Sequence, residues 1–242
     1  MTNFSVGGMM NKHQGKDKVV VVLGATGTGK SRLAIDLATR FGVEVINSDK
    51  LQFYKGLDIV TNKVKSVAIK YECCFLWMDV AIPVLHSCVS NRVDQMVDSG
   101  LVEEGKAFFD PKIRDYDYGI RRAIGVPEMD EFSRSDGLVD GETRAKLFKA
   151  AIDEIKINTC KLACRQVEKI LRMREEFGWK IHRLNTTKIF LRRGGDANEA
   201  WEKLVLESST NIVARFICKE NIDPKSTSFH LQRKHRSEID CI

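Results

Sequence analysis

Short apolar runs alternate with helical periodicities along the chain, a pattern that predicts an α/β fold. The runs are too short for helices and are rich in β-branched or aromatic residues, which is typical of strands in a parallel sheet. We predict strands at Lys18–Leu23, Val43–Ile46, Cys73–Val80 and Trp179–Leu184. Since helical segments separate them, the sequence predicts a parallel sheet flanked by helices.

Apolar residues at intervals of three and four predict the helices. The segment Glu142–Phe177 has no strong breaker and is the longest. The others are expected at Ser31–Phe41, Pro83–Gly100, Leu101–Phe109 and, as two pieces joined near Ser208–Thr210, within Asn198–Glu220. Because several of these helices fall between the third and fourth strands, we expect an additional helical portion beside the sheet.

A glycine-rich loop follows the first predicted strand and fits the phosphate-binding pattern G-x-x-x-x-G-K-[ST]. It consists of Gly24, Ala25, Thr26, Gly27, Thr28, Gly29, Lys30 and Ser31. Its glycines allow a tight turn with inward N–H groups, and the following helix adds the positive end of its dipole. Lys30 can bring a charge to phosphates, and the Ser31 hydroxyl can ligate Mg²⁺. The motif predicts a P-loop NTPase-like fold; a glycine turn without a ligand is the alternative.

Two aspartates follow predicted strands. Ligands of open α/β sheets bind beyond the carboxyl ends of the strands, so Asp49 is expected to face the loop. A helix-capping or turn aspartate is the alternative there. Asp79 follows four apolar residues and imitates the Walker-B aspartate that holds Mg²⁺, although many parallel strands end in this way. Asp79 therefore supports a second hypothesis, a nucleotide kinase or nucleotide-hydrolysing domain.

Composition narrows the class of protein. With 43% hydrophobic and 30% charged residues the chain has an ordinary globular composition, and its 242 residues can bury one sizeable core. No apolar run approaches the ~18 residues of a membrane span. The net charge of +6 suits phosphate-bearing ligands without requiring nucleic acid.

The cysteines and the tails carry little chemistry. Seven cysteines without a C-x-x-C pair are expected to be reduced, and five lie in apolar periodic segments: Cys73, Cys74, Cys88, Cys160 and Cys164. Cys218 with His230 and His235 lacks half of a closed zinc site. We expect a disordered leader at 1–17, one domain at 18–220 and a polar tail at 221–242.

Six stretches together resemble one family. They are the loop Gly24–Ser31, Asn47–Gln52, Gly56–Lys63, Tyr71–Trp77, Gly119–Glu128 and Asn158–Gln166. This set is similar to the plant-type adenylate isopentenyltransferases, which make cytokinins and are related to the tRNA dimethylallyltransferases. Apart from both tails, nearly the whole chain is covered.

The resemblance implies a reaction and roles for residues. The donor would be dimethylallyl diphosphate, and the acceptor ATP, ADP or AMP rather than tRNA. Thr26 would hydrogen-bond the bridging oxygen of the leaving group, Lys30 would bind its phosphates, and Asp49 would accept the N6 proton. At least one arginine of the Arg121–Arg122 pair, with Arg121 the candidate, is expected to contact phosphate.

Helix 142–177 is predicted to carry a basic stripe that includes Lys161, Arg165, Lys169 and Arg172. By the same resemblance we expect Lys161 and Arg165 to bind phosphates, and Lys169 and Arg172 to be merely solvated. A monomer in the plastid or the cytoplasm is expected.

The chain departs from the family between Asn62 and Tyr71. Only Lys63–Lys70 lie there, where relatives carry a long stretch with a His-His-Leu-Leu segment and a buried strand ending in Gly-Gly-Ser. By resemblance that stretch shapes both substrate pockets. We therefore expect little or no transferase activity from this chain, and a catalytically inactive nucleotide-binding member is a third hypothesis.

Overall fold

The fold is built on a parallel sheet of three strands, as seen in a computed structural model that describes residues 17–46, 71–107, 109–192 and 195–218. The strands are β1 (Lys18–Gly24), β2 (Glu72–Asp79) and β3 (Ile181–Asn185), in the order β1–β2–β3. Both pairs are parallel, which confirms the predicted parallel sheet. Asp49, the leader, the polar tail and the 63–70 segment lie outside the described residues.

Helices cover both faces of this sheet and extend beyond it. In chain order they are α1 (Lys30–Phe41), α2 (Ile82–Asp98), α3 (Leu101–Ala107), a 3₁₀ turn (Gly119–Arg122), α4 (Asp130–Arg134), α5 (Gly141–Glu175), α6 (Thr187–Phe190), α7 (Gly195–Trp201), a π-helical turn (Glu202–Leu206) and α8 (Glu207–Cys218). The predicted helices therefore form, with shifts of a few residues at their ends.

Two apolar clusters surround the sheet. On one face of the sheet, alternate β2 residues such as Leu76 and Met78 pack against Leu33 of α1. Trp201 of α7 and Val213 of α8 belong to the same cluster. A second cluster joins the loop after β1 to α2 and α5; its members are Ala25, Val80, Leu85, Val89 and Ala163. The alternation of side chains along a strand puts Leu76 and Met78 on the same face of β2. The second cluster lies beyond the ends of β1 and β2, at Ala25 and Val80.

The additional helical portion is confirmed as a third cluster. Val93 of α2 packs there with Phe132 of α4 and with Ala151 and Ile155 of α5. Because α5 has 35 residues, it is about 50 Å long and contributes to this cluster and to the one beside the phosphate loop. Its N-cap residue is Asp140, whose carboxylate accepts the Thr143 N–H at 2.9 Å. Helix α5 thus connects the helical portion to the part of the domain that contains the phosphate loop.

The first strand and the last described helix are joined directly. The Lys18 ammonium group donates to the carbonyls of Phe216 at 2.8 Å and Ile217 at 2.7 Å. These are carbonyls at the C-terminal end of α8, where a helix has unpaired acceptors and favours a cation. Lys18 therefore closes the domain by capping a helix 198 residues further along the chain.

Two predictions are wrong. Val43–Ile46 is not a strand: Gly42, with φ 66°, ends α1, and the following residues are exposed, Ile46 by 88%. Within the described sheet β1 pairs with β2 alone, so residues 43–46 form no strand pair in it. The C-terminal helices also join at 202–206 and not near Ser208–Thr210, because Ser209 is buried inside α8.

We predict that Leu76→Ala lowers the free energy of unfolding by about 2–5 kcal/mol, because it opens a cavity at a fully buried position of the central strand. Leu138→Ala is the matched control: Leu138 is 80% exposed, and its truncation should change stability by less than about 0.5 kcal/mol. Urea denaturation followed by circular dichroism measures both. Equal losses for the two variants would contradict the assignment of Leu76 to the core.

Candidate active site

The glycine-rich loop lies at the carboxyl edge of the sheet, where β1 ends at Gly24 opposite Met78 of β2. Helix α1 begins directly after it, with Gly29 in the left-handed region at φ 82°. No side chain of the described residues caps α1 at Gly29, and its first turn has no acidic residue. The N-terminal N–H groups of α1 therefore suit an anion, as the sequence predicted.

Two glycines are required because neighbouring atoms approach the loop closely. A Cβ on Gly24 would lie 2.6 Å from the Thr28 hydroxyl and 3.0 Å from the Met78 carbonyl oxygen. A Cβ on Gly29 would lie 3.1 Å from the Trp201 ring. The backbone can thus pass between β2 and the indole only where side chains are absent.

Hydrogen bonds inside the loop converge on one carbonyl. The Thr28 hydroxyl, which is buried, donates to the Ala25 carbonyl at 2.8 Å, and the Lys30 ammonium group donates to the same oxygen at 2.6 Å. The Thr28 side chain is therefore part of the loop's internal structure. Lys30 is held across the loop by its hydrogen bond to Ala25, and its contact with phosphates stays a prediction.

A residue of α5 holds the loop from outside. Gln166 Oε1 accepts the backbone N–H of Thr26 at 2.7 Å. The sequence analysis assigns Gln166 no role in the site. The available signal was its position at the end of the family-like segment Asn158–Gln166.

Lys161 and Arg165 come together at a cavity of about 680 Å³ between α2 and α5. Lys161 also donates to Asn158 at 3.3 Å. Arg172 is exposed and pairs with Glu176 at 2.9 Å, as a solvated residue would, and Lys169 is exposed as well. All four cations are exposed, and Lys161 and Arg165 differ from the other two in lining this cavity. Their expected role in binding phosphates stays a prediction.

Arg121 lies in the 3₁₀ turn before Gly125. Within the described residues no hydrogen bond or ion pair joins it to the loop. The segment that follows the turn is anchored: Glu128 accepts the Gly125 N–H at 2.8 Å and the Asn158 side-chain amide at 2.8 Å. The expected phosphate contact of Arg121 stays a prediction.

Asp79 at the end of β2 is already paired. Its buried carboxylate accepts from Arg183 of β3 through Nε at 2.8 Å and Nη2 at 2.6 Å. This double hydrogen bond neutralises the carboxylate. The pairing argues against Asp79 as a metal-holding residue and so against the second hypothesis.

For a magnesium ion the described residues offer one hydroxyl in the expected place. Ser31 is exposed in the first turn of α1. Among the described residues no group of three or more His, Cys, Asp or Glu could hold a metal ion. A magnesium ion that takes most of its ligands from substrate phosphates and water fits this donor set, because Mg²⁺ needs few protein ligands.

The described cysteines are all free thiols: Cys73, Cys74, Cys88, Cys160, Cys164 and Cys218. The reduced state of the cysteines stays a prediction. No helix in the described part of the chain combines the length and the apolar character needed to cross a membrane.

The parallel sheet with a glycine-rich loop at its carboxyl edge defines a phosphate-loop-like α/β protein. Two family descriptions match the sequence: "Isopentenyl transferase" at residues 17–70 and "IPP transferase" at residues 65–172. The chain belongs to the adenylate isopentenyltransferase family, a family of transferases, because full-length relatives match it closely.

Two of these relatives are from Arabidopsis thaliana. Adenylate isopentenyltransferase 5, chloroplastic, is 46% identical over 84% of this chain and 81% of its own length. Adenylate isopentenyltransferase 3, chloroplastic, is 42% identical over 86% of this chain and 81% of its own length. The resemblance read from the sequence is thereby confirmed.

Solved structures agree on the fold. A eukaryotic dimethylallyltransferase acting on tRNA superposes with a TM-score of 0.62 at 18% identity, over 84% of this chain and 80% of that one. The tRNA isopentenylpyrophosphate transferase of Bacillus halodurans has a TM-score of 0.53 at 18% identity, over 85% of this chain and 100% of that one. At such low identity the likeness shows a common fold.

The alignment with a relative also shows that this chain lacks internal residues that the relative has. The match to isopentenyltransferase 5 spans 266 positions but uses 84% of 242 residues, about 203, so about 60 positions of the relative face gaps here. The two family matches meet at 65–70, within the segment where the family-like sequence is interrupted.

We predict that Lys30→Ala weakens the binding of inorganic pyrophosphate by about 10- to 100-fold or more, because a charged partner of the phosphates is lost. Arg40→Ala is the matched control, since it removes the same charge at the opposite end of α1. Isothermal titration calorimetry measures both affinities. Unchanged affinity of the Lys30 variant would remove the loop from the binding site.

We predict that Gln166→Leu weakens pyrophosphate binding by about 2- to 10-fold, because the Thr26 N–H loses its acceptor and the loop its anchor on α5. Lys169→Ala, on an exposed part of the same helix, should leave the affinity unchanged. The same titration separates them. Equal affinities for the Leu variant and the unmodified protein would show that the hydrogen bond does not support the site.

Proposed function

We propose that the site of this protein is built to transfer an isopentenyl group from dimethylallyl diphosphate to the N6 amine of adenine in ATP, ADP or AMP. In its relatives' names this is an adenylate isopentenyltransferase activity. The observation that carries the proposal is the phosphate loop, open at the start of α1 and tied to α5 through Gln166, in a chain 46% identical to such a protein.

Neutralising the leaving diphosphate is the first requirement of the reaction. Negative charge develops on the diphosphate as it leaves. The N–H groups at the start of α1 and the Lys30 ammonium group would supply positive charge at that place. The Thr26 hydroxyl would donate to the bridging oxygen, while Gln166 holds the backbone of the same residue. Lys161 and Arg165 would hold phosphates of the donor or of the nucleotide.

A magnesium ion is the proposed cofactor. The Ser31 hydroxyl would hold it together with oxygens of the bound diphosphate. When bound, the ion supplies further positive charge to the leaving group. Its role is proposed from the position of Ser31 in the first turn of α1.

Removing the N6 proton is the second requirement. Asp49 is the proposed general base, and its position lies outside the described residues. A carboxylate that takes up a proton as the amine attacks the allylic carbon raises the rate of the chemical step rather than the affinity for nucleotide. Excluding water from the cation-like carbon is the third requirement.

The shortened interior limits this activity. Within the described sheet β1 has one partner, and all its residues are half-buried, in contrast to the buried centre of β2. Each unpaired buried backbone group costs about 1–3 kcal/mol, and a domain has only about 5–15 kcal/mol of net stability. We therefore propose that the chain as written has little or no transferase activity, although Thr26, Lys30 and Asp49 are all present.

The small-molecule acceptor is preferred over tRNA because the relatives named above are adenylate enzymes, whereas the tRNA enzymes resemble the chain at 18% identity. We propose a monomer whose family-like domain comprises residues 18–220. Plastid and cytoplasm both stay compatible with the relatives' names as its compartment.

The test compares this chain with a version in which the relative's segment is inserted between Asn62 and Tyr71. We expect prenylation of AMP, ADP or ATP by the restored version and at least tenfold less by the chain as written, because water reaches an incomplete pocket. Chromatography of the prenylated nucleotide measures the product, and release of γ-phosphate is followed in parallel. Comparable prenylation by both would show the segment to be dispensable.

Asp49→Asn in the restored version is the internal control. It should reduce turnover far more than nucleotide affinity, since it preserves shape and removes the base. Phosphate release without prenylation by the restored version would favour the nucleotide-hydrolysing alternative and overturn the proposed function.

A further inference from the structure

A histidine of α2 and a cysteine of α5 lie next to one another between the two helices. The Nε2 atom of His86 lies 3.2 Å from the Sγ atom of Cys164. Both side chains are half-buried and line the cavity between these helices, so small molecules can reach them. A thiol within hydrogen-bond distance of an imidazole has the arrangement of a nucleophile with its base.

The remaining described cysteines lack this arrangement. Burial raises the pKa of the thiols of Cys73, Cys74 and Cys88, that of Cys74 to about 11. Such thiols stay protonated and react slowly. Cys160 lines the same cavity, but its sulfur contacts the carbonyl of His86 and not the imidazole. Cys218 is exposed at the end of α8, away from this cavity. Among the described cysteines, Cys164 is the one whose sulfur lies within hydrogen-bond distance of an imidazole.

Cationic side chains outnumber carboxylates in the lining of the cavity around Cys164. Three cations line it, Lys156, Lys161 and Arg165, against one carboxylate, Glu168. Lys156 pairs with Asp94, which leaves Lys161 and Arg165 as the cations next to the thiol on α5. With about 680 Å³ the cavity has room for a peptide-sized ligand.

We propose that Cys164 is a modification site that forms a mixed disulfide with an anionic low-molecular-weight disulfide bound in this cavity. His86 takes the thiol proton, and the Cys164 sulfur attacks one sulfur of the disulfide. The new S–S bond forms as the old one breaks, and the departing thiolate takes up the proton from His86. The disulfide is itself the oxidant, so no further reagent is needed.

The modification would act on the site through charge. It places a negatively charged group against Lys161 and Arg165, and this consequence rests on the proposed function, in which these cations hold substrate phosphates. The modified protein then binds pyrophosphate more weakly. Formation of the mixed disulfide depends only on the thiol, the imidazole and the cavity.

The test uses the full chain and glutathione disulfide as the anionic probe, with cystamine as a cationic probe of similar chemistry. Mass spectrometry of the intact protein and of its peptides gives the rate and the position of labelling. We expect labelling at Cys164 about tenfold or more faster with glutathione disulfide than with cystamine, and a smaller ratio at high salt.

Three variants make the assignment specific. Cys164→Ser should remove the fast labelling, and His86→Gln should slow it about tenfold or more with Cys164 still present. Cys160→Ser is the matched control, one helical turn away in the same cavity, and should keep the rate. Fast labelling that persists in Cys164→Ser, or equal rates for the two probes, would overturn the proposal.

Pyrophosphate titration of the labelled protein separates the two proposals. Weaker binding after labelling, restored by a reducing agent, supports the link to the phosphate site. If Cys164 is labelled as expected and pyrophosphate affinity does not change, the modification site stands and the place given to Lys161 and Arg165 in the proposed function is wrong.

Discussion

The close approach of three elements to one stretch of backbone is the constraint on which the site depends. The Met78 carbonyl lies against Gly24, the Trp201 ring lies against Gly29, and Gln166 holds the Thr26 N–H. These contacts come from β2, α7 and α5, so the loop has its shape only when sheet and helices are all assembled. The N–H groups of α1 are then fixed before any ligand arrives, and a fixed site loses little entropy on binding.

Much of this arrangement could be predicted from the sequence, because the evidence for it is local. The apolar run of β1, the glycine pattern of the loop and the long periodicity of α5 each indicate one element by themselves. What could not be predicted depends on partners distant in sequence. Val43–Ile46 has the composition of a strand, but no described strand pairs with it. Asp79 has the sequence position of a metal-binding aspartate, but Arg183, 104 residues away in sequence, pairs with its carboxylate.

Helix α5 shows how one element serves two demands. Its face towards the sheet is small and neutral, with Ala163 packed under the loop and Gln166 bonded to it. The neighbouring face carries Lys161, Cys164 and Arg165 into the cavity beside α2. Successive residues of a helix point about 100° apart, so a stretch of a few residues supplies packing, positioning and charge at once. A substitution in this stretch therefore cannot be assigned to one role from its sequence position alone.

The Lys18 cap on α8 has a consequence for the order in which the domain can be completed. The strand that contains Lys18 leaves the ribosome early, but the carbonyls that Lys18 contacts belong to residues synthesised 198 and 199 positions later. The same core also needs Val213 of α8 against Leu33 and Leu76. Strand β1 can pair with β2 early, because β2 follows within the first third of the chain. The Lys18 cap and the apolar cover from α8 can form only when translation of the domain is almost finished, so part of the core stays exposed on the nascent chain until then.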